Sequence, residues 1–153
     1  MSTEESKSKV ELAIFEEFAS KAGIPVAPGS IKKPGAESEP DIFCELKTGE
    51  QVAYELVEIC SADIAATLSK IKAGGSAALA TSDPTQKTLR QKLHKAYKTS
   101  RPIELLCYTN GRTVSTDDMI VSEAQLWANA IGGPFRKIWL LGEKGVYEVW
   151  SAS

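Results

Sequence analysis

The chain predicts an α/β sandwich built on a mixed β-sheet, and three features of the sequence predict it. Two segments, 39–59 and 136–150, read as hairpins. A continuous apolar run, "IELLCYT" at 103–109, reads as a strand buried on both faces. Helical patterns alternate with strands through the middle of the chain. Antiparallel pairing belongs at the hairpins and parallel pairing at the helical crossovers, which gives the element order α-β-β-α-α-β-α-β-β.

The opening "MSTEESKSK" is polar and charged. Residues 1–9 are expected to fray, with residues 10–153 forming one domain. From Val10 the pattern turns helical, with Val10, Ile14, Phe15, Phe18 and Ala22 on one side until Gly23 and Pro25 stop it. "PVAPGSIKKPGAESEP" holds too much Pro and Gly for a regular element, so it is a loop delivering the chain into the first hairpin. Ser61 can cap a helix through Ile64, Leu68 and Ile71, ended by Gly74-Gly75. "SAALATS" fits a short strand or a helical continuation. Asp83-Pro84 is a helix start, and Leu89, Leu93, Ala96 and Tyr97 give that helix an apolar stripe up to about Thr99. After the 103–109 strand and a turn at Asn110-Gly111, residues 122–131 form an amphipathic helix that Gly132-Gly133-Pro134 ends. "RKIWLL" and "VYEVW" close the chain as a hairpin across "GEKG".

With 153 residues and 42% hydrophobic content the chain can fill one core without a second domain. No apolar run is long enough for a bilayer span, and the first residues lack the apolar centre of a secretory signal, so the expected location is cytoplasmic and no membrane is involved. Cys44, Cys60 and Cys107 lie in or beside apolar runs with no CxxC spacing, which suits buried free thiols in a reducing compartment. A net charge of -2 excludes a protein coated with basic residues for indiscriminate nucleic-acid binding, though not a local basic patch. The oligomeric state stays open, a homo-oligomer included.

The first hairpin carries the chemistry. In "EPDIFCELKTGEQVAYELVEI" a three-residue turn, Lys47-Thr48-Gly49, with Gly in the third position pairs Leu46 with Glu50. Counting outward sets Asp41 opposite Glu55, with Cβ atoms roughly 5 Å apart on one face. Two bare carboxylates repel there, and a divalent cation between them reverses the sign. Ile42, Cys44, Leu46, Val52, Tyr54 and Leu56 form an apolar opposite face directed at the core, so the carboxylate face is expected to open toward a cleft.

Pro40-Asp41, then thirteen residues, then Glu55-Leu56-Val57 resembles the motif of the PD-(D/E)XK nuclease superfamily. The leading helix, the motif hairpin, the basic helix before "IELLCY" and the late "KIWLL" strand fall in that superfamily's order. The resemblance implies a restriction-endonuclease-like core and a nuclease hydrolysing phosphodiester bonds, in DNA sooner than RNA. It implies Mg²⁺ or Mn²⁺ held by Asp41, Glu55 and the Leu56 carbonyl. The chain departs from the motif at one point: where the superfamily usually has Lys, it has Val57.

The missing ammonium needs a substitute. Lys92 borders the apolar stripe of its helix, so its stem can pack while its head reaches inward; Lys95 is the fallback, although Lys95 and Lys98 point away from the stripe. The plain alternative for Lys92 is a solvated helix lysine. Glu58 is an acidic alternative, on the other face. On the leading helix Glu11 falls within the apolar side, and the superfamily often places an acid from this helix near its metal, which makes Glu11 the preferred candidate and Glu17 the runner-up; Glu11 could instead simply favour the helix dipole. Lys87, Arg90, Lys92, Lys95, Lys98 and Arg101 form the most basic stretch. Lys87, Arg90, Lys95 and Lys98 are its nucleic-acid-binding candidates, and the plain reading is an exposed helix face. His94 is the sole histidine, off the stripe and solvated, and Trp127, Trp139 and Trp150 sit in apolar patterns that suit a core. Two classes of function remain: a metal-dependent nuclease, or a nuclease-fold protein without catalysis that binds nucleic acid or a protein partner.

Overall fold

The computed structural model describes residues 3–34, 38–59, 84–109 and 116–152. Within them the order is α1 (Thr3–Ala22), β1 (Ile42–Glu45), β2 (Gln51–Glu58), α2 (Pro84–Leu93), β3 (Ile103–Tyr108), α3 (Asp117–Ile131), β4 (Phe135–Leu141) and β5 (Val146–Ser151). The helix expected through Ile64 and Ile71, the "SAALATS" segment, Cys60 and the Asn110-Gly111 turn lie outside the described residues.

The five strands form one sheet in chain order, β1-β2-β3-β4-β5. The pairs β1–β2 and β4–β5 are antiparallel, while β2–β3 and β3–β4 are parallel, so the sheet is mixed as the hairpins and crossovers required. A short segment before β1 extends that edge, through isolated antiparallel bridges of Val26 with Leu46 and Lys32 with Phe43.

Period-two alternation sends the sheet's side chains into two cores. On one face Ile42, Cys44, Val52, Tyr54, Leu56, Leu106 and Tyr108 meet Phe15 and Phe18 of α1. The Phe15 and Tyr54 ring centroids stand 4.9 Å apart, and Phe18 meets Trp139 edge-on at 5.2 Å. On the other face Ala53, Leu105, Cys107, Ile138 and Leu140 pack beneath Leu89 and Leu93 of α2 and Ile120, Ala124 and Ala128 of α3. Because β3 lies between both layers, all six of its residues are buried, as its largely apolar run predicts, Glu104 included. Among the described residues no helix is long and apolar enough to cross a membrane.

Three helix boundaries differ from expectation. α1 starts at Thr3, not Val10. Ser6, Lys7 and Lys9 are exposed there, so these turns rest on intrinsic propensity and not on burial, and apolar periodicity is silent about them. Val10 is itself 48% exposed, and the buried stripe of α1 runs through Glu11, Phe15 and Phe18. α3 begins at Asp117, five residues early, because the Thr116 hydroxyl accepts the Met119 N–H and caps it. α2 ends at Leu93 in place of about Thr99. Beyond Leu93 tertiary contacts take over: the Lys98 N–H bonds the Ser38 carbonyl at 2.7 Å, and the Tyr97 ring packs against Phe135 at 5.8 Å. A Cβ at Gly133 would stand 2.7 Å from Leu93 Cδ2, so the α3–β4 turn lies against the end of α2 only because that residue is glycine.

Candidate functional site

The hairpin turn sets the site. Gly49 has φ of +94°, a conformation that suits glycine, and its N–H bonds the Leu46 carbonyl at 2.8 Å. The Leu46 N–H bonds the Glu50 carbonyl at 2.8 Å, and the ladder continues through Glu45 with Gln51 to Ile42 with Tyr54. One step further, Asp41 stands opposite Glu55 as expected. Their proximity is sealed by two bonds: the Asp41 N–H donates to Glu55 Oε1 at 3.1 Å, and the Leu56 N–H donates to Asp41 Oδ2 at 2.8 Å.

Proline at position 40 adds a consequence. The even-numbered residues of β2 pair toward β1, so the ladder would set the Leu56 carbonyl opposite Pro40, which has no N–H to give it. The ladder thereby supplies no N–H to the Leu56 carbonyl at that position.

Glu55 is 2% exposed, and it is held on its other oxygen by groups from the α2 side. Lys92 Nζ and the Tyr97 hydroxyl each stand 2.9 Å from Glu55 Oε2, with Lys95 Nζ at 3.5 Å. Burial works against the charged form of Glu55, but hydrogen bonding with Asp41 and the Lys92 ammonium outweigh it and hold the carboxyl below its ordinary range. Asp41 moves the other way. Burial, then its hydrogen bond to Glu55 and the Glu55 charge, push it up to about 7. Glu11 contributes to the same shift, so α1 and the hairpin share one electrostatic neighbourhood. Glu11 is buried and pairs with Lys33 Nζ at 2.8 Å.

The expectation of an open cleft over the carboxylate face needs correction. Phe43 and Val57, on that face, are partly buried and pack against the second core beneath α2, and of the two carboxylates Glu55 is buried and Asp41 partly exposed. Lys92 reaches the pair as expected, whereas Lys95 does too, because α2 ends before it and the chain turns its side chain back toward Glu55. Glu58 is partly buried at the end of β2, and Glu17 is exposed and pairs with Lys21 at 3.1 Å. Arg90 lies exposed over the Trp127 ring at 5.4 Å, Lys98 is exposed, and the side chain of Lys87 lies outside the described residues. Arg101 stacks over Phe43 at 4.3 Å, and His94 is exposed. Cys44 and Cys107 are buried free thiols.

Tyr97 and Lys33 were invisible to pattern reading. Tyr97 counted as one more apolar residue of a helical stripe, and Lys33 sits in a Pro-Gly loop with no period. Sequence offers no signal for either, because both are placed by contacts with distant segments.

Among the described residues no three acidic, histidine or cysteine side chains converge, so the available oxygens are Asp41 Oδ1, Glu55 Oε1 and the Leu56 carbonyl. Magnesium and manganese accept such a set because they retain several waters and need only one or two carboxylates. No family model, curated protein or solved structure matches this chain.

Proposed function

We propose that this protein is a divalent-metal-dependent nuclease of PD-(D/E)XK type that hydrolyses phosphodiester bonds, in DNA sooner than RNA, in the cytoplasm. One observation carries the reading: Lys92, from a separate element, brings its ammonium to 2.9 Å from Glu55, where the motif's own lysine is replaced by Val57. A pair of like-charged strand residues with a lysine delivered beside them is difficult to explain as packing, since an apolar trio would be at least as stable.

Asp41, Glu55 and the Leu56 carbonyl would hold Mg²⁺ or Mn²⁺, which supplies a water of lowered pKa and charge neutralisation at the phosphate. The chain's own residues do the rest. Lys92 fixes Glu55 Oε2 together with Tyr97, leaving Oε1 turned to Asp41, and its ammonium stabilises negative charge that develops beside the pair. Glu11, neutralised by Lys33, adds an acid at the rim of the same neighbourhood.

The test is cleavage of plasmid DNA by purified protein with Mn²⁺. Lys92→Ala should lose cleavage yet keep the metal-dependent rise in Tm, because the ammonium serves the transition state, while Glu55→Ala should lose both. Cleavage unchanged in Glu55→Ala would remove the reading. A second reading is favoured by Val57, which packs on the core in place of a strand lysine: a nuclease fold that binds nucleic acid or a protein partner without catalysis. Wild type and Glu55→Ala equally inactive would select it.

A further inference from the structure

We propose that Lys95 takes a non-bridging oxygen of the substrate's phosphodiester, so that the second ammonium beside Glu55 is the protein's direct hold on the nucleic-acid backbone; this rests on the nuclease reading above. Glu55 Oε2 is already filled. Lys92 and Tyr97 each donate to it at 2.9 Å, and two donors use its lone pairs. Lys95 stands 3.5 Å away, beyond a good hydrogen bond, with its ammonium also 4.9 Å from the Tyr97 ring centroid. Charge holds it there, not a donor geometry that would be lost on leaving.

Exposure separates the two lysines. The Lys92 side chain is 24% exposed and that of Lys95 36%, so Lys95 forms the outer rim of the cluster. Its backbone N–H bonds the Lys92 carbonyl at 3.2 Å, and the segment after α2 is tied to Ser38 through the Lys98 N–H. Two cations follow in the chain: Lys98 is exposed, and Arg101 is committed to the Phe43 ring and the Cys44 carbonyl. Charge balance gives Lys95 a reason to move. With both carboxylates ionised around a divalent cation, Asp41 and Glu55 offset Lys92 and Lys95 and the ion is left as surplus positive charge, and a phosphodiester anion is what that surplus recruits. The outer ammonium is the one able to meet it.

The experiment measures binding apart from cleavage. A fluorescein-labelled 20-base-pair DNA duplex is titrated with wild type, Lys95→Ala and Lys95→Arg in Ca²⁺, from 50 to 200 mM salt, by fluorescence anisotropy. Loss of one phosphate contact should make the fall in affinity across that salt range about 3.5-fold shallower in Lys95→Ala, and Lys95→Arg should restore the wild-type slope. The Mn²⁺-dependent rise in Tm should persist in Lys95→Ala, showing the carboxylate pair intact. A slope lost in Lys95→Ala, with wild type inert toward DNA in Mn²⁺, would keep the phosphate contact and discard the nuclease. Cleavage by wild type with an unchanged slope in Lys95→Ala would keep the nuclease and discard the contact. Failure of wild type to bind the duplex would overturn the proposal.

Discussion

Replacing Asp41 with Asn should make the metal-free protein more stable at neutral pH. Asp41 is pushed from 3.8 to about 7 by burial and by Glu55. Between those values the folded state holds a proton that the unfolded chain has released. Stability from this group is therefore complete below the unfolded value and is lost as pH rises through about 7. The interval of about three units corresponds to about 4 kcal/mol at most, and solvent reaching the partly exposed Asp41 reduces it to about 2 kcal/mol. Glu55 has the opposite sign: held below its ordinary range, it contributes stability at neutral pH that disappears only in acid. In Asp41→Asn the amide oxygen can still accept the Leu56 N–H and the amide N–H₂ can donate to Glu55, so the bonds remain and the titration goes. Urea unfolding followed by tryptophan fluorescence, in EDTA, should show the variant gaining about 2 kcal/mol over wild type between about pH 4 and pH 8. With Mn²⁺ the ranking should narrow or reverse on the metal reading proposed above, since Asp41→Asn removes a carboxylate of the proposed site. A difference that does not change with pH, or a variant less stable than wild type at pH 8 in EDTA, would refute the reasoning.

Other sites give sharper structural tests. Glu104, 3% exposed on the α1 face of the sheet, accepts Arg136 at 2.7 Å and Trp139 Nε1 at 2.7 Å, so Glu104→Ala should cost about 3 kcal/mol in urea unfolding without changing the Mn²⁺-dependent shift in Tm. Asp117 collects the N–H groups of Glu143 and Lys144 and the Tyr147 hydroxyl at 2.9 to 3.1 Å, so Asp117→Ala should cost about 2 kcal/mol in the same unfolding assay. Gly49→Ala places a Cβ at φ of +94° with nothing within 4 Å to clash, so strain alone should cost about 1 kcal/mol, read by the same unfolding assay.

Local chemistry was legible and tertiary placement was not. The register that joins Asp41 to Glu55 followed from one glycine in one turn, since a three-residue loop leaves a single pairing. Glu11 was readable on the buried side of α1 because it lies one turn before Phe15, yet Val10 was misassigned to that side because apolar character outweighed its angle. The end of α2 was not legible. Ala96 and Tyr97 continue a helical period, but the chain leaves the helix to meet Ser38 and Phe135, and that departure is what turns Lys95 and Tyr97 onto Glu55. Lys33 reaches Glu11 from a loop whose position depends on the Lys32–Phe43 bridge, a contact between segments with no shared pattern.

On the nuclease reading proposed above, valine in place of the motif lysine has a physical explanation in the same packing. Val57 is on the face of β2 that carries Glu55, and it packs against the core that α2 covers. An ammonium rooted there would carry its stem through apolar surroundings, and burying it unpaired would cost several kcal/mol. From α2 the geometry is easier: Lys92 precedes Leu93, which is buried, so the stem lies along the core margin while the side chain keeps 24% of its surface in water. An ammonium thus reaches Glu55 from the covering helix, while position 57 serves packing. The arrangement couples two things that a strand lysine keeps apart, because the cation is correctly placed only while α2 is docked on the sheet through Leu89 and Leu93. Assembly of the charged cluster and closure of the second core are then one event, and the carboxylate pair meets its cation only in the fully folded protein.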